Sequence, residues 1–243
     1  MPTPPVFPNP VFVALDTADL EQARAWARAL APVVGGVKLG LEFFAAHGAT
    51  GVRAVAGAEG GPPLFLDLKF HDIPNTVAGA VRAVAPLAPA IVNVHAAGGR
   101  AMMAAARDAA TEAADRLGVT PPKLIAVTVL TSLDAADLTT TGVPGAVADQ
   151  VRRLAALAVA AGLDGVVCSP HEAAVLRADL GPDALLVTPG VRPAWAATGD
   201  QKRVTTPAEA LAAGASHLVV GRPITQADDP AAAARRVVAD LAT

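Results

Sequence analysis

Eight short apolar runs, each followed by a longer and often alanine-rich segment, constrain the fold of this chain more than any other feature. The runs are Val11–Leu15, Val33–Leu39, Pro63–Lys69, Ile91–His95, Leu124–Leu130, Gly165–Cys168, Ala184–Thr188 and His217–Gly221. Rich in Val, Ile, Leu and Phe and only four to eight residues long, they read as strands buried on both faces of a parallel sheet. The segments between them carry helix signals. Ser169-Pro170-His171-Glu172 and Thr206-Pro207-Ala208-Glu209 read as capping boxes with Pro at the first helical position. Asp229-Pro230 opens the last helix in a similar way, and Gly162, Gly181 and Gly214 read as C-terminal stops. Eight strand-then-helix units predict a parallel sheet with crossover helices. The 243 residues suit one closed (β/α)8 barrel, which takes about 250. An open doubly wound sheet is the rival fold, but no Gly-x-Gly-x-x-Gly follows the first run. The expected division is a proline-rich tail at 1–10, extended and partly disordered, and a single catalytic barrel at 11–243.

Composition removes other classes of function. At 53% hydrophobic and 17% charged residues, the chain is too apolar to be disordered. A net charge of −3 supplies no basic field for nucleic acid, and 3% aromatics with no Tyr leave few platforms for stacking bases. The single cysteine, Cys168, rules out an internal disulfide and a multi-cysteine zinc site, in keeping with a cytoplasmic protein. Mean hydropathy is +0.44, which raises the question of a membrane. The longest uncharged stretch, Ala83–Gly99, is broken by Pro86, Pro89, Asn93 and His95 and falls short of the ~20 apolar residues of a spanning helix. The N-terminus has neither the basic nor the apolar region of a secretory signal, so neither membrane nor nucleic acid is an expected partner.

A barrel of this kind places its active site at the C-terminal ends of the strands. There the sequence puts Asp16, Lys38, Asp67, Lys69, His95, Thr128 to Ser132, Ser169, Thr188 to Arg192 and Arg222. The sharpest signal is Asp67-Leu68-Lys69-Phe70-His71-Asp72-Ile73-Pro74. Strand side chains alternate, so Leu64, Leu66 and Leu68 face the helices while Asp67 and Lys69 enter the barrel mouth. Lys38 enters beside them and Asp72 lies just past the strand, which gives an alternating array of four charges. A structural ion-pair network, with Asp72 as a helix N-cap, is one competing reading, and a metal site drawn from Asp67, Asp72, His71 or His95 is another. Convergence of four charges at one end of a barrel weighs against the first. Two lysines that already supply positive charge weigh against the second.

A second signal follows the seventh and eighth runs. Thr188-Pro189-Gly190-Val191-Arg192-Pro193 begins a connection to residue 206 that is far longer than the usual 2–6 residues and so is a candidate lid. The eighth run ends in Val220-Gly221-Arg222-Pro223. A glycine followed by arginine at that position suits the phosphate site that barrels build after strands seven and eight.

These residues together resemble the orotidine 5′-phosphate decarboxylase family. The stretch from Asp67 to Pro74 is similar to its Asp-x-Lys-x-x-Asp-Ile-Pro signature. Leu15-Asp16, Lys38-Leu39-Gly40, Val94 to Gly99, Leu130-Thr131-Ser132, Thr188 to Pro193, Asp200-Gln201-Lys202-Arg203 and Val220 to Thr225 resemble further family motifs in the same order. The proline-rich tail and Gly57–Pro63 are not covered. The resemblance implies conversion of orotidine 5′-phosphate to UMP, the last step of de novo pyrimidine synthesis, with no metal and no cofactor. It implies that Lys69 stabilises and protonates the C6 carbanion, that Asp67 stands near the departing carboxylate, and that Lys38 and Asp16 hold the ribose. Thr131 and Ser132 would face the pyrimidine. Pro189, Arg192, Gln201, Gly221 and Arg222 would hold the phosphate end. Asp72, Ile73 and Thr76 would reach across a homodimer into the partner's site. Two rivals remain: a magnesium-dependent sugar-phosphate decarboxylase or aldolase of the same barrel superfamily, which carries an acidic residue where Lys38 stands, and a barrel that binds a phosphorylated ligand without turnover.

Overall fold

In the computed structural model, which describes residues 7–57, 61–196 and 205–242, eight parallel strands close into a barrel in the order β1 to β8, with β8 returning to β1. The strands are β1 (Val11–Ala14), β2 (Gly36–Gly40), β3 (Leu64–Phe70), β4 (Ile91–His95), β5 (Lys123–Val127), β6 (Gly165–Val167), β7 (Leu185–Pro189) and β8 (His217–Val220). Around them run α1 (Leu20–Leu30), α2 (Leu41–Ala56), α3 (Pro74–Val84), α4 (Gly99–Leu117), α5 (Ala135–Thr140), α6 (Val147–Ala160), α7 (Ala173–Leu180), α8 (Pro207–Ala212), α9 (Arg222–Thr225) and α10 (Pro230–Ala239). Among the described residues no helix is long and apolar enough to cross a membrane.

The period-two alternation of each strand divides the apolar side chains into two sets. Val11, Val13, Val37, Leu39, Leu64, Leu66, Val92 and Val94 face outward and pack under the helices. Phe12, Phe65, Ile91, Ile125, Val187 and Val219 face inward and fill the barrel's interior. Gly36 makes room for this plug, because a Cβ there would stand 2.3 Å from the Phe12 ring. The inward positions one step further along β2, β3 and β4 are Lys38, Asp67 and Asn93. The apolar plug therefore gives way to polar side chains towards the C-terminal ends of the strands, where the site forms.

The predicted boundaries move by more than a single residue in three places. Strand β2 begins at Gly36 and not at Val33, because the amides of Val33 and Val34 turn back to the Leu30 carbonyl at the end of α1. Strand β5 stops at Val127, and the rest of its apolar run bends away until Leu130 is exposed. Ser169 does not open a helix. Glu172 accepts the Ser169 amide, as a capping box requires, but the chain makes a turn there and α7 starts at Ala173. The Thr206/Glu209 box is complete at α8, and Asp229 caps α10. Gly162, Gly181 and Gly214 take positive φ just beyond α6, α7 and α8. Residues 7–10 are not loose: the Phe7 ring meets Phe12 and His217 edge-on, and Asn9 bonds to Val33, Val11 and Gly35.

Candidate active site

The C-terminal mouth of the barrel holds a cavity of about 350 Å³, enough for a compact polar ligand. On its floor Asp67 sits between two lysines. Asp67 Oδ1 accepts from Lys69 Nζ at 2.6 Å, and Oδ2 lies 3.0 Å from Lys38 Nζ. Lys38 Nζ reaches on to Asp16 Oδ1 at 3.3 Å. Lys38 and Asp67 are buried, whereas Asp16 stands exposed at the rim. Burial opposes the charge on Lys38, but the Asp67 and Asp16 carboxylates outweigh it and raise its pKa. Burial likewise opposes the charge on Asp67, and Lys38, Lys69 and the hydrogen bond from Asn93 overcome it, so its pKa is lowered. Lys38 and Asp67 are thus kept ionised because each buried charge has an opposite neighbour.

Lys69 occupies an irregular piece of backbone. Leu66 lies opposite Val92 but Phe70 lies opposite Val94, so β3 bulges between them. Lys69 takes φ 50°, a left-handed conformation that costs a residue with a Cβ roughly 1–3 kcal/mol. Its amide is caught by Asn93 Oδ1 at 2.8 Å, while Asn93 Nδ2 donates to Asp67 Oδ1 at 2.7 Å. Sequence reasoning passed over Asn93. The signal was available, since a carboxamide sits between Val92 and Val94 on an inward position of a buried strand.

The cavity wall opposite β3 comes from β7 and β8. Pro189, Arg192, Gly221 and Arg222 line it. Four cations (Lys38, Lys69, Arg192, Arg222) and two carboxylates (Asp16, Asp67) line the cavity, so positive side chains outnumber negative ones in its lining. The long connection after β7 is pinned at its base, where Val191 bridges Thr205 and the Arg192 amide donates to the Thr205 carbonyl at 3.0 Å. Trp195 ties its first turn to α10, donating to Asp240 at 2.8 Å beneath the Arg236 guanidinium. Gln201 lies outside the described residues. Thr131 lines the cavity, while Ser132 stands exposed beside it and does not. Val129, Val127 and Val167 supply an apolar wall that the sequence reading did not single out. Cys168 also lines the cavity, and burial pushes its thiol up to about 12, so it is no thiolate nucleophile near neutral pH.

Asp72, Ile73 and Thr76 do not line the cavity of their own barrel. They belong to an exposed shelf, His71 to Thr76, that leaves the end of β3. Ile73 is 67% exposed, and Asp72 Oδ1 accepts the Ile73 amide at 2.6 Å. Asp72 is not the cap of α3, since Ile73 holds that position. His95 ends β4 half-buried, its ring 5.5 Å from that of His71. Burial first, then electrostatic interaction with His71 and Lys69, lower its pKa, with Asp67 opposing.

Comparison with known proteins bears on this geometry. A sequence profile described as "Orotidine 5'-phosphate decarboxylase / HUMPS family" matches residues 9–237. The chain is 66% identical over 241 residues to an orotidine 5'-phosphate decarboxylase of Rhodospirillum rubrum, covering 99% of this chain and 97% of that one. It is 56% identical to the enzyme of the same name from Paramagnetospirillum magneticum, over 96% of this chain and 98% of the other. The crystal structure of orotidine 5'-phosphate decarboxylase from Lactobacillus acidophilus superposes with a TM-score of 0.85 at 39% identity, over 97% of this chain and all of that one.

Proposed function

Since the chain belongs to the orotidine 5′-phosphate decarboxylase / HUMPS family, we propose that it decarboxylates orotidine 5′-phosphate to UMP as a step of pyrimidine biosynthesis. The observation that carries this reading is the alternation Lys38–Asp67–Lys69 on the cavity floor, set across the barrel from Arg192 and Arg222. The chemistry asks for both halves. When the bond from C6 to the carboxylate breaks, CO2 leaves and the electron pair stays on C6. A fixed cation in a dry site stabilises that developing charge without reorganisation. Lys69 holds its ammonium there, gives a proton to C6, and regains one from solvent. Asp67 fixes the Lys69 ammonium at 2.6 Å and stands beside the departing carboxylate. Lys38 and Asp16 take the ribose hydroxyls and Thr131 the pyrimidine, while Ser132, expected with it, stands outside the cavity. Arg192, Gln201, Gly221 and Arg222, with Pro189, take the phosphate, whose binding energy is used far from the reacting carbon.

The site is completed by a second copy of the chain. Asp72, Ile73 and Thr76 lie on an exposed shelf that their own cavity leaves unused, which supports an isologous homodimer in which each shelf enters the other site. Catalysis needs no metal or cofactor in this reading, and the protein works in the cytoplasm. The magnesium-dependent sugar-phosphate enzymes of the superfamily are disfavoured by Lys38, which holds an acidic residue's place and is already satisfied by two carboxylates. Mixing the purified protein with orotidine 5′-phosphate and following the orotate-ring absorbance tests the assignment. The band should disappear with UMP as product, and should do so equally in excess chelator. A persistent band overturns the decarboxylase reading, and loss only with magnesium moves the chain to the rival class.

A further inference from the structure

We propose that Asn93 is a positioning residue whose carboxamide sets where the Lys69 ammonium and the Asp67 carboxylate stand, and so sets the rate of the chemical step without touching substrate. This rests on the decarboxylase reading above. Asn93 is 0% exposed and does not line the cavity. A buried carboxamide needs partners, and both of its bonds run to the array: Nδ2 to Asp67 Oδ1 at 2.7 Å, and Oδ1 from the Lys69 amide at 2.8 Å. The orientation is dictated by its neighbours, since a flipped amide would set oxygen against carboxylate and NH2 against N–H.

The residue type is equally constrained. The bulge in β3 takes the Lys69 amide out of step with β4 and leaves Lys69 in the left-handed region. Asn93 Oδ1 receives that amide and so holds the strained turn. Because bulges re-aim side chains, the same contact directs the Lys69 side chain onto Asp67. Leucine at 93 would leave the Lys69 amide and Asp67 Oδ1 each short of a partner. Aspartate would accept the amide but could donate to Asp67 only when protonated. The charged or titratable groups around position 93 are Asp67 and Lys69 on β3, Lys38 on β2 and His95 on its own strand. Strand β5 meets it with Ile125.

Kinetics on orotidine 5′-phosphate, with UMP affinity and thermal midpoint measured alongside, test the proposal. Asn93→Ala should lower kcat by about 100-fold, the effect of a displacement of about 1 Å at a reacting group. Its Kd for UMP, which has no carboxylate at C6, should stay within about threefold of wild type. For Asn93→Asp, burial and the Asp67 charge raise the new carboxyl's pKa. Its kcat relative to wild type should therefore rise at least about tenfold from about pH 8 to about pH 6, a ratio from which His95 cancels. A filler of space would lower UMP affinity and thermal midpoint together with kcat and leave that ratio flat. An Asn93→Ala enzyme within about threefold of wild-type kcat, or a flat Asn93→Asp ratio, overturns the proposal. If Asn93→Ala does not fold, the Asn93→Asp ratio alone decides. A wild-type chain without turnover overturns the decarboxylase reading instead.

Discussion

Lowering the pH should weaken the fold through one residue at the closed end of the barrel, far from the chemistry. His217 begins β8, is 8% exposed, and lies edge-on to Phe7 and Phe12 with ring centroids at 4.8 and 5.4 Å. Its Nδ1 is buried with no hydrogen-bond partner. Burial, partly offset by the Pro10 backbone, moves its pKa from the ordinary 6.5 to about 4. The unfolded chain takes up this proton near pH 6.5 and the folded chain does not until about pH 4, so stability is full above that window and falls as pH drops through it. The full loss is ~3 kcal/mol, of which about 2 kcal/mol falls between about pH 7 and pH 5. The assay is urea denaturation across that range for wild type and His217→Leu. The variant's intercept will differ, but its slope with pH should be shallower by that ~2 kcal/mol. The carboxylates that also lose partners in acid, Asp67 among them, act equally in both proteins and cancel. Parallel profiles would refute the reasoning and show that His217 is hydrated or already charged in the folded state.

The barrel was legible because its strands are buried on both faces, so each run announces itself as continuous apolar sequence whatever the helices do. Strand ends were less legible, since an apolar residue reads the same whether its amide joins a ladder or, like that of Val33, closes the last turn of a helix. The array followed from parity alone: two of the chain's four lysines fall on inward positions of adjacent strands, with Asp67 between them. Parity also points Asn93 inward. What it could not give was the bulge at Lys69, which depends on two strands falling out of register. Nor could one chain's sequence place Asp72, whose side chain leaves its own cavity. Its sequence position had put it with the array of its own barrel, which the structure does not do, and only the family resemblance pointed it to a partner's site.

Three predictions concern the site directly. Lys69→Ala should nearly abolish turnover while UMP affinity is largely kept, because the proposed phosphate contacts lie across the barrel; a variant with a tenth of wild-type turnover would remove Lys69 as the proton donor. Arg222→Ala should mainly raise KM for orotidine 5′-phosphate and change turnover of the bare nucleoside orotidine very little, whereas equal proportional losses on both would make Arg222 a support of the fold or of the array. The last is the shared site. Lys69→Ala and Asp72→Ala chains should each be inactive alone and should recover activity when mixed and allowed to exchange subunits. In a mixed dimer one site then carries both defects and the other carries neither. Random exchange makes half of the dimers mixed, so activity should approach roughly one quarter of wild type. If Asp72 served its own barrel, every site in every dimer would keep one defect. Absence of recovery after verified exchange would therefore remove the shared shelf while leaving the decarboxylase chemistry of Lys69 in place.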